Sequence, residues 1–134
     1  MYQTGNIVKS RINKLPFIYH YGIIVMNGSI PVIMHFSPNG VNSRGGSLHV
    51  DRVEAYLKTR TLVSVTNTTL TNEQIEAAYN GFIEKKFNLI TRNCEHFVNQ
   101  VAFGKARSKQ VENSFMALLA IIIIITVVSK IRKK

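Results

Sequence analysis

The sequence predicts an α+β fold: a small antiparallel sheet packed against helices, with a C-terminal hydrophobic membrane helix. Three observations carry this. Strand-like segments crowd the first 66 residues, and two of them flank Asn27-Gly28, a dipeptide that favours a tight hairpin turn. The two longer helical patterns begin only after residue 70, where the apolar period changes to that of a helix. Phe115 to Val128 is then an apolar run whose only polar residue is Thr126.

The elements follow in order. Gly5 to Arg11 reads as a first strand, with Ile7 and Val8 apolar. Lys14 to Phe17, which contains Pro16, reads as a connector. Tyr19 to Met26 and Pro31 to Phe36 form the arms of the hairpin. Pro38-Asn39-Gly40 and Gly45-Gly46 mark a long loop. Asp51 is positioned to cap a short helix, Arg52 to Lys58, that buries Val53, Tyr56 and Leu57. Thr61 to Thr66 returns as a strand. Thr71 with Gln74 makes a capping box, and the helix behind it places Ile75, Ala78, Tyr79, Phe82 and Ile83 on one stripe. Phe87 to Thr91 reads as an extended link. Asn93 caps a further helix with Cys94, Phe97, Val98, Val101 and Ala102 on its apolar face, and Gly104 is a helix stop.

The chain has 134 residues, close to one domain at about 150 residues per domain. Its single cysteine excludes an internal disulfide, and its 46% hydrophobic content excludes a disordered basic tail. The net charge of +10 invites a nucleic-acid reading until it is located. Lys105, Arg107, Lys109, Lys130, Arg132, Lys133 and Lys134 against the lone acid Glu112 put +6 in residues 105–134. Residues 1–104 carry only +4, with no basic-aromatic motif and no Trp, so no nucleic-acid partner is expected. The excess charge brackets the apolar run. A helix apolar on every side is either buried or in lipid, and one small domain has little interior to hide it. Basic flanks are what anionic headgroups attract. The reading is a domain over 1–110 and a membrane anchor over 111–134. Residues 114–131 would span about 27 Å, slightly short of the roughly 30 Å hydrocarbon core. Met1 to Lys14 is polar, so no N-terminal signal peptide is expected. The basic flanks favour a catalytic domain on the cytoplasmic side.

Cys94 carries the chemical interest. In the first turn of a helix it meets unpaired backbone N–H groups and the positive dipole end, which predicts a lowered thiol pKa and donors for an oxyanion. A cysteine nucleophile also needs a base. His96 lies two residues on, which points to another face, so it reads with His49 as surface or structural. His20 and His35 sit on opposite arms of the hairpin, where cross-strand neighbours share a face. Zinc ligation by Cys94, His20, His35 and His49 is the competing use, but no pair has zinc-motif spacing, so no metal and no other cofactor is expected.

The string Asn93-Cys94-Glu95-His96-Phe97-Val98 resembles the NC box of the lecithin–retinol acyltransferase-like and phospholipase A/acyltransferase proteins, circularly permuted relatives of the NlpC-type papain-like fold. Gly5-Asn6-Ile7-Val8, His20-Tyr21-Gly22-Ile23 and Met34-His35-Phe36 resemble the family's opening strand and its two histidine sites, in order. Gly104, Ala106-Arg107-Ser108 and Gln110-Val111 resemble the stretch before its hydrophobic tail. The resemblance implies Cys94 as nucleophile, His20 as general base and acid, and His35 as the group polarising His20. It also implies the Cys94 backbone N–H as oxyanion donor, with Tyr21 as a second. The implied substrate is a glycerophospholipid ester at a membrane surface. One departure is the gap between the histidines, longer than the family's usual spacing. Extra residues around Asn27 to Pro31 either stay in the turn or shift the register and remove His35 from the site. Two other readings stay open: a membrane-anchored interaction protein without turnover, as in some picornaviral proteins that resemble this family, and a cysteine peptidase or amidase.

Overall fold

The computed structural model describes residues 1–38 and 40–132; Asn39 of the loop signal and Lys133 and Lys134 of the basic end lie outside them. The order is β1 (Ile7–Ile12), β2 (Leu15–Asn27), β3 (Ile30–Phe36), β4 (Leu48–Arg52), α1 (Val53–Leu57), β5 (Arg60–Thr66), α2 (Asn72–Phe82), α3 (Cys94–Phe103) and α4 (Lys109–Ile131). The strands form one antiparallel sheet in the order β4-β3-β2-β1-β5. The α+β expectation holds, with an apolar C-terminal helix.

The pleat sends alternate side chains to opposite faces, so the sheet has two cores. Ile7, Ile23, Met34, Phe36 and Leu48 pack with Ile75, Phe82, Cys94, Phe97 and Val98 from α2 and α3. The rings of Phe36, Phe82 and Phe97 lie 5.2–5.8 Å apart at the centre of that layer. Val8, Ile24 and Ile33 pack with Val53 and Tyr56 of α1 on the other side. Leu57 of α1 is only half-buried.

Two expectations are corrected here. Lys14 to Phe17 is not a connector, because Leu15 already pairs with Ile12 and the chain turns through Asn13 and Lys14 alone. Asp51 does not cap a helix. It lies in β4, a strand the local sequence did not announce, and it pairs opposite Ile33. The capping position of α1 belongs to Arg52, whose side chain makes no cap bond. The physical reason is non-local: β3 offers a free edge, and Leu48 to Arg52 satisfies it.

The remaining caps follow the sequence. Thr71 and Gln74 form the capping box of α2. Gly104 ends α3 with φ of +68°, a left-handed conformation that glycine adopts without a side-chain clash. The hairpin turn is Gly28-Ser29, one residue on from the expected Asn27-Gly28, because Asn27 still pairs with Ile30; β2 and β3 keep a single register from there to Gly22↔His35. The extra residues are absorbed at the end of the hairpin, and His35 stays on the same face as His20.

None of the side chains of α4 is buried. Its mean hydropathy reaches 2.5, and it is long and apolar enough to cross a membrane. The helix is about 34 Å long, but its first turns carry Lys109, Gln110 and Glu112, so the part from Phe115 to Ile131 available to the hydrocarbon is about 25 Å. Thr126 and Ser129 donate to carbonyls of their own helix, at Ile122 (2.8 Å) and Thr126 (2.9 Å), so their hydroxyls are satisfied without water. The boundary expected between residues 110 and 111 falls inside the first turn of α4.

Gly22 is a sharp test of this packing. A Cβ there would stand 2.6 Å from Ile33 Cγ1 and 2.7 Å from its Cδ1. Gly22→Ala is expected to destabilise the fold by about 1–3 kcal/mol through overpacking. Urea denaturation of the full chain in micelles should show a lower midpoint with an unchanged slope.

Candidate active site

β2 is longer than its partner. β3 pairs with it only from Gly22 onward, so the main-chain groups of Tyr19 and Tyr21 are left without a strand on that side. The start of α3 and the first turn of α4 fill the gap. Gln110 of α4 accepts from the Tyr19 N–H through Oε1 (2.9 Å) and donates Nε2–H to the Tyr19 carbonyl (3.2 Å), much as a strand would. The Cys94 thiol points at that same carbonyl, 3.9 Å away. The backbone N–H groups of Tyr21, Glu95 and Cys94 itself favour a charged sulfur. The sulfur thus meets the main chain of β2 next to His20.

Asn93 sets this geometry. Its Oδ1 accepts from the N–H groups of Glu95 and His96, both at 3.0 Å, and its Nδ2 donates to the Leu89 carbonyl (2.9 Å) and to Ser108 Oγ (3.2 Å). Ser108 caps α4 and donates to Glu95 Oε2 at 2.7 Å, which also accepts from the Gln110 N–H at 3.1 Å. His96 has a structural role as the third residue of the capping box. The link before α3 is not extended as expected. Asn88 and Arg92 pair with each other, and Leu89 to Thr91 forms a turn held by Asn88 Oδ1.

The histidines lie together on the α1 face of the sheet. Gly22 stands opposite His35, so His20, two residues along β2, is its diagonal neighbour. The ring nitrogens His20 Nε2 and His35 Nδ1 are 3.0 Å apart, and His35 Nε2 is 2.8 Å from Asp51 Oδ2. A carboxylate only accepts, which assigns the protons. His35 donates Nε2–H to Asp51, so its Nδ1 is a bare acceptor. His20 then donates Nε2–H to His35, and its own Nδ1 carries the lone pair. Among the described residues no hydrogen bond engages that nitrogen. Asp51 therefore sets the tautomer of both rings.

Tyr56 of α1 braces the pair, its ring 5.9 Å from His20 and 5.1 Å from His35 by centroid. Its hydroxyl bonds Ser10 Oγ at 2.7 Å, and Ser10 donates to the His20 carbonyl at 3.2 Å. His49 is half-buried with its ring 6.2 Å from His35, unbonded to either histidine. Among the described residues no cluster of three or more His, Cys, Asp and Glu side chains could hold a metal ion.

The thiol departs from expectation. Burial pushes Cys94 up to about 11, and the Glu95 charge adds to this, while the three backbone N–H groups pull the other way without prevailing. Burial also holds His20 well below 6.5, with His35 and the Arg60 guanidinium acting in the same direction. His35 is lowered chiefly by burial, against the upward pull of Asp51. Thiol and imidazole are both neutral at rest. Cys94 and His20 are neighbours through the backbone of β2, with no hydrogen bond between thiol and ring.

No family model and no solved structure matches the chain. It is 55% identical over 29 residues to phospholipase A and acyltransferase 4 of Homo sapiens. That similarity spans 22% of this chain and 18% of the relative. It is a partial likeness to the lecithin–retinol acyltransferase-like family, in keeping with the resemblance in the sequence.

The sequence reading missed Asp51. Its one local signal, an acidic residue ahead of a helix pattern, pointed to capping.

The buried histidines make stability depend on pH in a defined sense. The unfolded chain protonates them near 6.5. The folded chain does so only at lower pH, so the unfolded state binds more protons in between. Stability is therefore held above about 6.5 and lost as pH falls from there toward the folded pKa values. Thermal melts of the full chain should show a lower Tm at pH 5 than at pH 7.5, and His20→Gln should flatten that difference.

Proposed function

We propose that the protein is a membrane-tethered thiol acyl hydrolase or acyltransferase that cleaves glycerophospholipid esters through a Cys94 thioester, on a permuted NlpC/papain-like domain facing the cytoplasm. The observation that carries the reading is the hydrogen-bonded chain Asp51–His35–His20 leading to a strand segment whose main chain grips a first-turn cysteine. The partial likeness to a phospholipase A and acyltransferase supports the substrate class, and the apolar α4 supports a lipid surface as the workplace.

The chemistry follows from the assigned protons. The step requires Sγ, which rests against the Tyr19 carbonyl on the α3 side of the sheet, to reach His20 Nδ1 on the α1 side past the edge of β2 that β3 leaves open. As Sγ attacks the ester carbonyl carbon, Nδ1 takes the thiol proton, and the imidazolium gains support from His35 and Asp51. The C=O electron pair moves to oxygen. Backbone N–H groups that favour charge at the sulfur, those of Cys94 and Tyr21, are the donors at hand for that oxyanion. Collapse breaks the C–O bond, and the departing lysolipid oxygen takes the proton from His20. Water then attacks the thioester with His20 again as base, releasing a fatty acid and the thiol. An amine or lysolipid in place of water gives acyl transfer. Starting from a neutral thiol, the proton moves only as attack proceeds, so the resting site is protected from oxidation and stray reaction.

One observation favours a second reading. The thiol is buried and not engaged with the base, the state expected of a scaffold that serves binding rather than turnover. Kinetics separate the two. The full chain in mixed micelles of phosphatidylcholine is expected to release fatty acid, and Cys94→Ser to abolish it. Intact mass with a labelled lipid should show a thioester on Cys94. Asp51→Asn is expected to reduce kcat/KM by about 10- to 100-fold, the usual effect of a group that orients a working imidazole. Cys94→Ser with undiminished release would end the thiol mechanism, and a folded full chain with neither release nor thioester would favour the binding module.

A further inference from the structure

The start of β2 and the turn before α3 carry apolar side chains into solvent. Phe17 is 92% exposed and Ile18 46%, on the first residues of β2. Leu89 is 69% and Ile90 55% exposed, in the turn before α3. These pairs come from segments about 70 residues apart in sequence, yet both connect to the root of α4, one through Gln110 and one through the cap Ser108. Tyr19, next to Ile18, bonds Gln110, and the Leu89 carbonyl shares the Asn93 amide with Ser108. They therefore flank the root of α4 at the end of the sheet where the thiol lies. Lys14 and Arg92 are their near neighbours in the chain, and Lys109 is the first residue of α4.

We propose that Phe17, Ile18, Leu89 and Ile90 form a collar that inserts into the lipid–water interface around the root of α4. It seats the Cys94 site at the depth of the acyl esters. The proposal rests on reading α4 as a membrane helix, and it deepens the proposed function by giving the domain its own contact with the bilayer.

The depth can be worked out from the helix. Gln110 is five residues before Phe115, where the continuous apolar run begins, or about 7.5 Å along the axis. The headgroup zone on each side of a bilayer is about 5–8 Å thick. With Phe115 at the edge of the hydrocarbon, Gln110 sits within the headgroups, and so do the two segments tied to the root of α4. Exposed aromatic and aliphatic side chains at that level reach the acyl boundary, as on interfacial helices. Lys14, Arg92 and Lys109 then meet anionic headgroups. The link between α3 and α4, residues 104–108, is short and tied to α3, with the Lys105 N–H on the Asn99 carbonyl. Arg107 is held to α3 by the Asn99 side chain, and Ser108 is already the cap.

The chain has no Trp, so an introduced one reports its own surroundings. The test uses the full chain in phosphatidylcholine–phosphatidylserine vesicles with lipids brominated at a shallow or a deep acyl position. Phe17→Trp and Leu89→Trp probe the collar. Ile30→Trp, at the opposite end of β2 and roughly 30 Å along the strand, is the solvent reference. Ile123→Trp reports the middle of α4. Shallow bromines are expected to quench positions 17 and 89 about threefold more than position 30, the contrast between a ring buried about 5–10 Å below the surface and one in water. Deep quenching at position 123 with equal, weak quenching at 17, 89 and 30 would overturn the collar alone. Absence of deep quenching at 123 would overturn the membrane helix and the collar together. The same spectra in a Cys94→Ala background separate docking from chemistry: strong quenching at 17 and 89 there supports the collar whatever the lipid assay of the unmodified protein returns.

Discussion

The carboxamide of Asn93 is the joint on which this molecule turns. It uses both lone pairs and both N–H groups, on Glu95, His96, Leu89 and Ser108. One side chain thereby caps α3, fixes the turn before it, and hands a bond to the residue that caps α4. Ser108 passes the connection to Glu95, and Glu95 to the Gln110 N–H. Gln110 closes the circuit on Tyr19 of β2. Asn93, Glu95 and Ser108 at its centre are buried, and a buried polar group left without its partner costs about 1–3 kcal/mol. The arrangement is therefore cooperative: each group is tolerable inside because the others are present. The thiol sits in the middle of it.

Burial and helix position act on that thiol in opposite directions, and the magnitudes decide. Amides at a helix start favour a thiolate, and they are present here. The Cys94 side chain is nevertheless so enclosed that loss of hydration outweighs them. The same enclosure keeps His20 neutral. A site that suppresses charge on both partners stores little reactivity at rest. It leaves the oriented amides for the moment when charge develops on a substrate oxygen, where a water-poor setting makes them strongest.

What could be read from the sequence was local. Thr71 with Gln74, Asn93 before Cys94 and Gly104 each state their geometry within a few residues and are found in place, while the hairpin turn falls one residue after Asn27-Gly28, at Gly28-Ser29. The resemblance around Cys94 and the two histidines pointed to β2, β3 and the start of α3, and the structure brings the two histidine rings together. What failed was decided at a distance. Leu48 to Arg52 has no strong strand pattern and becomes β4 because β3 needs a partner. That single pairing converts Asp51 from a presumed helix cap into the group that fixes the histidine tautomers. The turn at Leu89 and Ile90 reads as extended from its β-favouring residues, but Asn88 and Arg92 close it. The thiol followed the same rule: the dipole is a neighbour effect visible in sequence, and burial belongs to the packed whole.

The coupling of tail and site is where these strands meet. Anchors usually reach a domain through a flexible segment, which raises its concentration at the membrane but leaves its orientation free. Here the root of α4 is part of the site. Ser108 and Gln110 bond the residues on either side of the thiol in sequence and in space. A tilt of α4 therefore tilts β2 and α3 with it. Orientation is a large share of what a catalyst contributes, and a misplacement of about 1 Å can cost on the order of 100-fold. A helix rooted in the Asn93 circuit gives the bilayer itself a part in holding that geometry. For the same reason the polar residues 108–112, which look like a spacer, hold the nucleophile as firmly as the core does.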